Sequence, residues 1–198
     1  YITFRSLFAA ITALVFVLVF GNLMIRWLRS LKFKEEIREL GPQSHKAKAG
    51  TPTMGGIIIL SSVVFSIALW GNFTTPYLLL LVIATVLLGL LGFSDDYIKS
   101  ILKKKAGLPA RVKFLCQTGI ALGVALVLYF FPSSPADATT LYVPFLNDAV
   151  IDLRWVWVVF AMLVIIGSSN AVNLTDGLDG LAIGLILIVA ATIGVITY

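Results

Sequence analysis

Charge is scarce in this sequence. Asp, Glu, Lys and Arg make up 13% of its 198 residues, about half the share that soluble domains carry. Cysteine and histidine are scarcer still, with one of each, Cys116 and His45. A single cysteine excludes an intrachain disulfide; Cys116, at the start of a hydrophobic block, reads as a small apolar helix residue. His45 has no metal-ligand partners in sequence and reads as a polar loop residue. What fills the chain instead is apolar. Hydrophobic residues make up 59% of it, and the mean hydropathy is +1.00.

The apolar residues come in six blocks, at about 7–26, 54–71, 77–94, 114–131, 154–172 and 181–198. A helix needs roughly 20 apolar residues to cross a bilayer. No two blocks are joined by enough polar chain to build a separate soluble domain. Residues 1–198 therefore read as one integral-membrane domain, an all-α polytopic transmembrane bundle of about six spans. The first block is followed by basic residues and lacks a small-residue cleavage site, so it reads as a span rather than a signal peptide. The chain opens on Tyr1, not methionine, and closes inside an apolar run, as a piece of something longer would.

The net charge of +5 invites a nucleic-acid partner, but its placement argues against one. Arg26, Arg29, Lys32, Lys34, Arg38, Lys46 and Lys48 lie between the first and second blocks. Lys99, Lys103, Lys104, Lys105, Arg111 and Lys113 lie between the third and fourth. Only Arg5 and Arg154 fall on the other side. This asymmetry places both basic loops in the cytoplasm and the N-terminus outside. Trp70-Gly71-Asn72 with Pro76 predicts a short outer turn, and the alternating stretch Leu141-Tyr142-Val143-Pro144-Phe145 within 132–153 suits a small hairpin on the outer, periplasmic surface. Gly119-x-x-x-Gly123 and Gly180-x-x-x-Gly184 would let helices approach closely. No internal repeat is visible, which weakens a transporter reading.

Three polar segments share the inner face. In Phe93-Ser94-Asp95-Asp96-Tyr97-Ile98-Lys99, two adjacent carboxylates end an apolar helix, where they oppose its dipole. On a continued helix Lys99 lies at i+4 from Asp95 and i+3 from Asp96, and Lys103 follows a turn later. Paired carboxylates suit Mg²⁺, although a solvated helix end with a local ion pair fits the same residues. In Asn170-Ala171-Val172-Asn173-Leu174-Thr175-Asp176-Gly177-Leu178-Asp179-Gly180, helical spacing would put Asn173, Asp176 and Asp179 on one side. Gly177 and Gly180 could instead open the stretch into a loop with backbone close to a ligand. Polar groups at such depth point to function. In Ser44-His45-Lys46-Ala47-Lys48-Ala49-Gly50-Thr51-Pro52-Thr53-Met54-Gly55-Gly56, Thr51 reads as an N-cap and Pro52 as the first turn of the second span. Ordinary capping and anion binding near Lys48 fit equally well there. Carboxylates, lysines and a helix N-terminus together are the parts of a phosphoryl-transfer site.

The Lys48–Gly56 run, Gly92-Phe93-Ser94-Asp95-Asp96-Tyr97 and the Asn170–Gly180 run resemble the signatures of the bacterial phospho-N-acetylmuramoyl-pentapeptide-transferase (translocase I) family. That family belongs to the polyprenyl-phosphate N-acetylhexosamine-1-phosphate transferase superfamily. The resemblance covers nearly the whole chain and corresponds to the first half of such enzymes, which have about ten spans. Their later half supplies a further aspartate tied to Mg²⁺ and a histidine-rich loop, and neither is present here.

The resemblance implies a multi-pass enzyme of the cytoplasmic (inner) membrane, its active site facing the cytoplasm, acting in peptidoglycan synthesis, cell wall biogenesis and hence cell shape and division. Undecaprenyl phosphate would attack the β-phosphate of UDP-N-acetylmuramoyl-pentapeptide, giving lipid I and releasing UMP, with Mg²⁺ as cofactor. Asp95 would be the base, Asp96 would assist substrate or metal, and Asp176 would join them as a third catalytic and metal-binding carboxylate. A two-step scheme would make a carboxylate the covalent nucleophile instead. Lys48, Thr53, Asn173, Asp176, Gly177 and Asp179 would surround the nucleotide and diphosphate, and Lys99 and Lys103 the lipid phosphate. The resemblance also allows a homodimer. A sister transferase moving a GlcNAc-1-phosphate-type group would share the Asp pair, whereas a transporter would need charges deep within its spans.

Overall fold

A computed structural model describes residues 2–30, 54–102, 107–134, 138–142, 150–176 and 180–197. Six helices form at the six apolar blocks: α1 (Ile2–Ser30), α2 (Gly56–Trp70), α3 (Pro76–Ser100), α4 (Ala110–Phe130), α5 (Val156–Thr175) and α6 (Leu181–Thr197). Four of them, α1, α3, α4 and α5, are long and apolar enough to cross a membrane, while α2 and α6 are shorter apolar helices. Large side chains such as Leu18, Leu81, Leu163 and Leu187 stay exposed along them, and apolar surface on that scale is covered by lipid, not water. The chain is an all-α membrane helix bundle. It packs as two compact units, residues 1–116 and 117–198.

In the first unit α1 and α2 form an antiparallel pair. The face of α2 turned to α1 is small and polar: Ser62 and Ser66 are buried, and the Ser66 hydroxyl donates to the Ala9 carbonyl at 2.6 Å. Close approach through small residues and interhelical hydrogen bonds is how helices associate where lipid removes the hydrophobic drive between them. At the far end Trp70 stacks near Phe8, its Nε1 donates to Thr12 Oγ1 at 2.9 Å, and Arg5 Nε donates to the Trp70 carbonyl at 2.9 Å. The predicted turn follows. Asn72 Oδ1 accepts from Thr74 Oγ1 at 2.7 Å, and Pro76 opens α3 at its first position, where its missing N–H costs nothing.

The other end of this unit holds a small apolar cluster. Leu28 from the end of α1 and Met54 just ahead of α2 are both buried, with Ile57, Phe93 and Ile101 packed on them. Met54 is held at φ +73°, a left-handed backbone that non-glycine residues rarely adopt. It corrects the expected start of the second span. α2 begins at Gly56 with Gly55 in the N-cap and no side-chain cap; the left-handed Met54 interrupts any helix running on from Pro52. Thr51 and Pro52 themselves lie outside the described residues, as do Lys48 and Thr53.

In the second unit the buried residues of α4 are Gln117, Ala121 and Ala125, four apart and therefore on one face. The segment before α5 forms the expected hairpin. β1 (Thr140–Tyr142) pairs antiparallel with β2 (Val150–Asp152), setting Leu141 opposite Ile151. Thr139 Oγ1 donates to Asp152 Oδ1 at 2.5 Å, and the Arg154 N–H donates to the same oxygen at 3.0 Å. Among the described residues nothing approaches closely at the two Gly-x-x-x-Gly stretches, which leaves these faces open. A Cβ at Gly119, Gly123, Gly180 or Gly184 would meet nothing within 4 Å. Close packing occurs at Gly89 instead, where a Cβ would press on the Leu60 side chain at 2.6 Å.

Candidate functional site

About 20 residues carry a helix across the apolar core, and α3 has 25. Counted from Pro76, that length ends at Asp95, so the last turn of α3 emerges at the interface. Asp95 nevertheless does not face water. It is only 5% exposed, and burying an ionised carboxylate is costly unless partners surround it.

Those partners come from three directions. Lys99, one turn on along α3, brings its Nζ to 2.5 Å from Asp95 Oδ2. The chain then reverses through Gly107, whose φ is +64°, and the Leu108 N–H donates to Asp95 Oδ1 at 2.8 Å. The Pro109 carbonyl accepts from the Val112 and Lys113 N–H groups at 2.9 and 3.0 Å and starts α4. Lys113, one turn into that helix, places its Nζ 3.8 Å from Asp95 Oδ2. Lys99 stays 42% exposed at its side chain while Lys113 is 19% exposed. One carboxylate thus fixes two ammonium groups of different accessibility. Asp96, the next residue, is half-buried, and the helical rotation between neighbours turns it away from Asp95.

Sequence reading found the i, i+4 pair of Asp95 and Lys99 but missed Lys113, Gly107 and the Leu108 N–H. Lys113 was legible only as a topology charge. What brings it to Asp95 is the left-handed Gly107 ahead of α4, for which the Gly-Leu-Pro sequence was the available signal.

In the second unit α5 ends at Thr175, with Asp176 as its C-cap, and Gly180 at φ +78° precedes α6. The helix thus stops before Gly177, and of the two glycines behind the loop reading only Gly180 lies among the described residues. Asn170 is half-buried. Its Nδ2 donates to Gln117 Oε1 at 3.0 Å and to the Ile166 carbonyl at 2.9 Å. Gln117, itself buried, donates from Nε2 to Ser169 Oγ at 3.2 Å. Asn173 and Asp176 follow at three-residue steps and are exposed. Gly177, Asp179 and Lys103 lie outside the described residues.

Mg²⁺ takes several oxygen ligands in octahedral geometry. Both Asp95 oxygens are engaged by nitrogen donors, and among the described residues no three Asp, Glu, His or Cys side chains gather. As they stand, the described residues do not by themselves fit the ion that the resemblance implies.

Comparison with known proteins decides the family. Residues 78–198 match the model of Glycosyl transferase family 4. The chain belongs to glycosyl transferase family 4. Residues 48–60 of this family 4 chain also match phospho-N-acetylmuramoyl-pentapeptide-transferase signature 1, a stretch that holds Lys48, Thr53 and the left-handed Met54. A phospho-N-acetylmuramoyl-pentapeptide-transferase of Thermodesulfovibrio yellowstonii is 46% identical over 198 residues, all of this chain and 55% of its own length. The chain thus spans about half the length of the curated relative it matches. The family 4 match contains the Asp95 cage and the Asn170–Asp176 segment together.

Proposed function

We propose that this chain carries the reacting centre of a membrane phosphoglycosyl transferase that moves phospho-N-acetylmuramoyl-pentapeptide from UDP to undecaprenyl phosphate. A lipid phosphate oxygen would attack the β-phosphorus of the donor, forming the new phosphoanhydride, while the bond to the α-phosphate breaks and UMP leaves. The product is lipid I. The observation that carries this reading is the buried Asp95 carboxylate, fixed by Lys99, Lys113 and the Leu108 N–H at the end of a span.

A lipid-borne phosphate has its head at that level of the membrane. Lys99, half in contact with Asp95 and half exposed, is placed to receive it. Asp95 accepts the proton that the lipid phosphate gives up, and the transferred charge is met by oriented ammonium groups. Asn173 and Asp176 are exposed groups suited to the nucleotide and diphosphate. Mg²⁺ would offset diphosphate charge when bound. The distribution of the basic residues supports an orientation in the bacterial inner membrane with this end in the cytoplasm and the β1–β2 hairpin outside. A homodimer is compatible with this reading.

The sister reading, transfer of a GlcNAc-1-phosphate-type group, shares Asp95 and its lysines. The signature match at 48–60 favours the muramoyl donor. The test supplies the full-length protein carrying this chain, in bilayers with undecaprenyl phosphate, with either UDP-N-acetylmuramoyl-pentapeptide or UDP-N-acetylglucosamine. UMP release and a lipid-linked product with the first donor alone are expected. Turnover of the second donor alone would move the assignment to the sister reaction. For topology, a thiol reagent applied outside intact cells should label a cysteine placed at Ser134 and spare one placed at Ser44. The reverse would sink the orientation.

A further inference from the structure

The Asp95 cage contains one residue with no functional side chain at all. Gly107 sits at φ +64°, and a Cβ added there would overlap Asp95 Oδ1 and run into Lys99 Cε and Cγ. Its own peptide continues into the Leu108 N–H that bonds Asp95 Oδ1. Two independent restrictions therefore meet at one position. The backbone needs a left-handed conformation, which glycine adopts without strain, and the space needs no side chain. Among the described glycines no other combines both: Gly71 and Gly89 are crowded but not left-handed, and Gly180 is left-handed with nothing near its Cβ.

We infer that Gly107 is a positioning residue for Asp95, its peptide closing over the carboxylate as a latch that sets where Oδ1, and through Oδ2 the ammonium of Lys99, stand. This deepens the proposed transferase reading and rests on it for its effect on turnover. Lys99 and Lys113 both address Oδ2, and long lysine chains can follow a carboxylate that rotates. The Leu108 N–H is carried by the backbone and cannot follow. It is the only contact of the three that fixes the rotation of the carboxylate plane about its Cβ–Cγ bond. An alanine at 107 would strain the reversal and push into Oδ1 together, so the carboxylate would turn and the Lys99 ammonium would move with it. Misplacing a reacting group by about 1 Å costs on the order of 10²-fold in rate.

The experiment uses the full-length protein carrying this chain, in lipid nanodiscs, as wild type, Gly107→Ala, Gly107→Asn, Asp95→Ala and the double variant Asp95→Ala with Gly107→Ala. Asparagine tolerates a left-handed backbone far better than alanine but still brings a Cβ, so it separates strain from overlap. Two readings are taken. The first is amide exchange at Leu108, which needs no activity: protection is expected in the wild type and its loss by about tenfold or more in Asp95→Ala and in both glycine variants, a factor of ten in an equilibrium being the weight of a modest hydrogen bond. The second is transfer. Gly107→Ala is expected to lower turnover about 10²-fold with donor KM within threefold, and the double variant is expected to be no slower than Asp95→Ala. A residue that merely supports the fold would add its own loss to that of Asp95→Ala.

Leu108 exchanging as slowly in Asp95→Ala as in wild type overturns the latch. So does a Gly107→Ala change that slows the Asp95→Ala protein by its full factor again. Full turnover in Gly107→Asn would remove the overlap and overturn the inference as well. Should the wild type transfer neither donor sugar, the proposed function fails, and the exchange at Leu108 still decides the latch. If the glycine variants do not fold, judged by exchange in α1 and α2, the Asp95→Ala exchange decides it alone.

Discussion

The two helix ends that carry the candidate chemistry are built in opposite ways. At the end of α3 the charged side chain is sunk to 5% exposure and held from three directions by Lys99, Lys113 and the Leu108 N–H. At the end of α5 the hold stops at Asn170, which Gln117 and the Ile166 carbonyl engage; Asn173 and Asp176 beyond it are exposed. Burying a carboxylate is costly unless it is paired and hydrogen-bonded, and at the end of α3 each Asp95 oxygen has a hydrogen-bond donor. The other end keeps its polar groups at the surface, where desolvation costs little and a ligand can still be reached. On the proposed reading, the contrast separates a group that must stand in one place before substrate arrives from groups that meet the substrate when it comes.

The largest expected effect that sharpens this contrast is at Lys99. Lys99→Ala is expected to lower turnover about 10²-fold, as removal of one oriented donor from a site of developing charge does. Asn173→Ala is expected to act on the other side of the divide. Donor affinity should fall about tenfold, the weight of one hydrogen bond to a charged group, with turnover at saturating donor within threefold. Steady-state kinetics on both variants decide this. If Lys99→Ala weakened only affinity, or Asn173→Ala only turnover, the division between placed and presented groups would not hold.

A smaller effect belongs to Gln117. Gln117→Leu leaves Asn170 with the Ile166 carbonyl alone and removes the bond to Ser169. Interhelical hydrogen bonds within membranes are worth about 0.6 kcal/mol on average and up to about 1.7. A loss of about 1 kcal/mol in unfolding by denaturing detergent is expected, with turnover falling less than in Lys99→Ala. An unchanged midpoint would show that the clasp does not hold α5.

The smallest effect is at the hairpin, far in sequence from either end. The Thr139 hydroxyl, then the Arg154 N–H, donate to Asp152 and hold its carboxyl below the ordinary value of 3.8. A carboxyl lowered on folding lends stability above its unfolded pKa and loses it as the pH falls through the folded one. Protection of the Thr140–Tyr142 amides should therefore be level from pH 7 to about 5 and decline mainly below about 4, where a free aspartate is about half protonated. Asp152→Asn should leave turnover unchanged. A decline in protection that begins between pH 7 and 5 would contradict the assignment.

Much of the fold was legible because the solvent is simple. Six apolar blocks gave six helices, and Pro76 and the 132–153 segment gave the turn and the hairpin, since each depends on its own residues. The misreadings concern partners. Thr51 and Pro52 look like a helix start, but the left-handed Met54, buried on Leu28, sets α2 at Gly56, and only the neighbouring helix reveals that. Gly119 and Gly184 look like contact points and among the described residues have nothing against them, whereas Gly89 packs on Leu60, because a glycine permits packing without choosing who packs. At the site, the spacing of Asp95 and Lys99 was visible as one turn of helix. Lys113 was not, since it reaches Asp95 only through the reversal at Gly107.

The account stands most directly on Asp95. In the full-length protein carrying this chain, with undecaprenyl phosphate and saturating UDP-N-acetylmuramoyl-pentapeptide, the rate of UMP release by Asp95→Asn is the measurement to make, with donor binding followed in parallel. Asparagine keeps the size of the side chain and an oxygen for the Leu108 N–H while removing the charge and the ability to take a proton. A fall in turnover of about 10²–10⁴-fold, the range of a positioned general base, with donor affinity within a few-fold of wild type is expected. A variant that keeps more than half of the wild-type rate would remove Asp95 from the chemistry and leave its cage a structural ion pair.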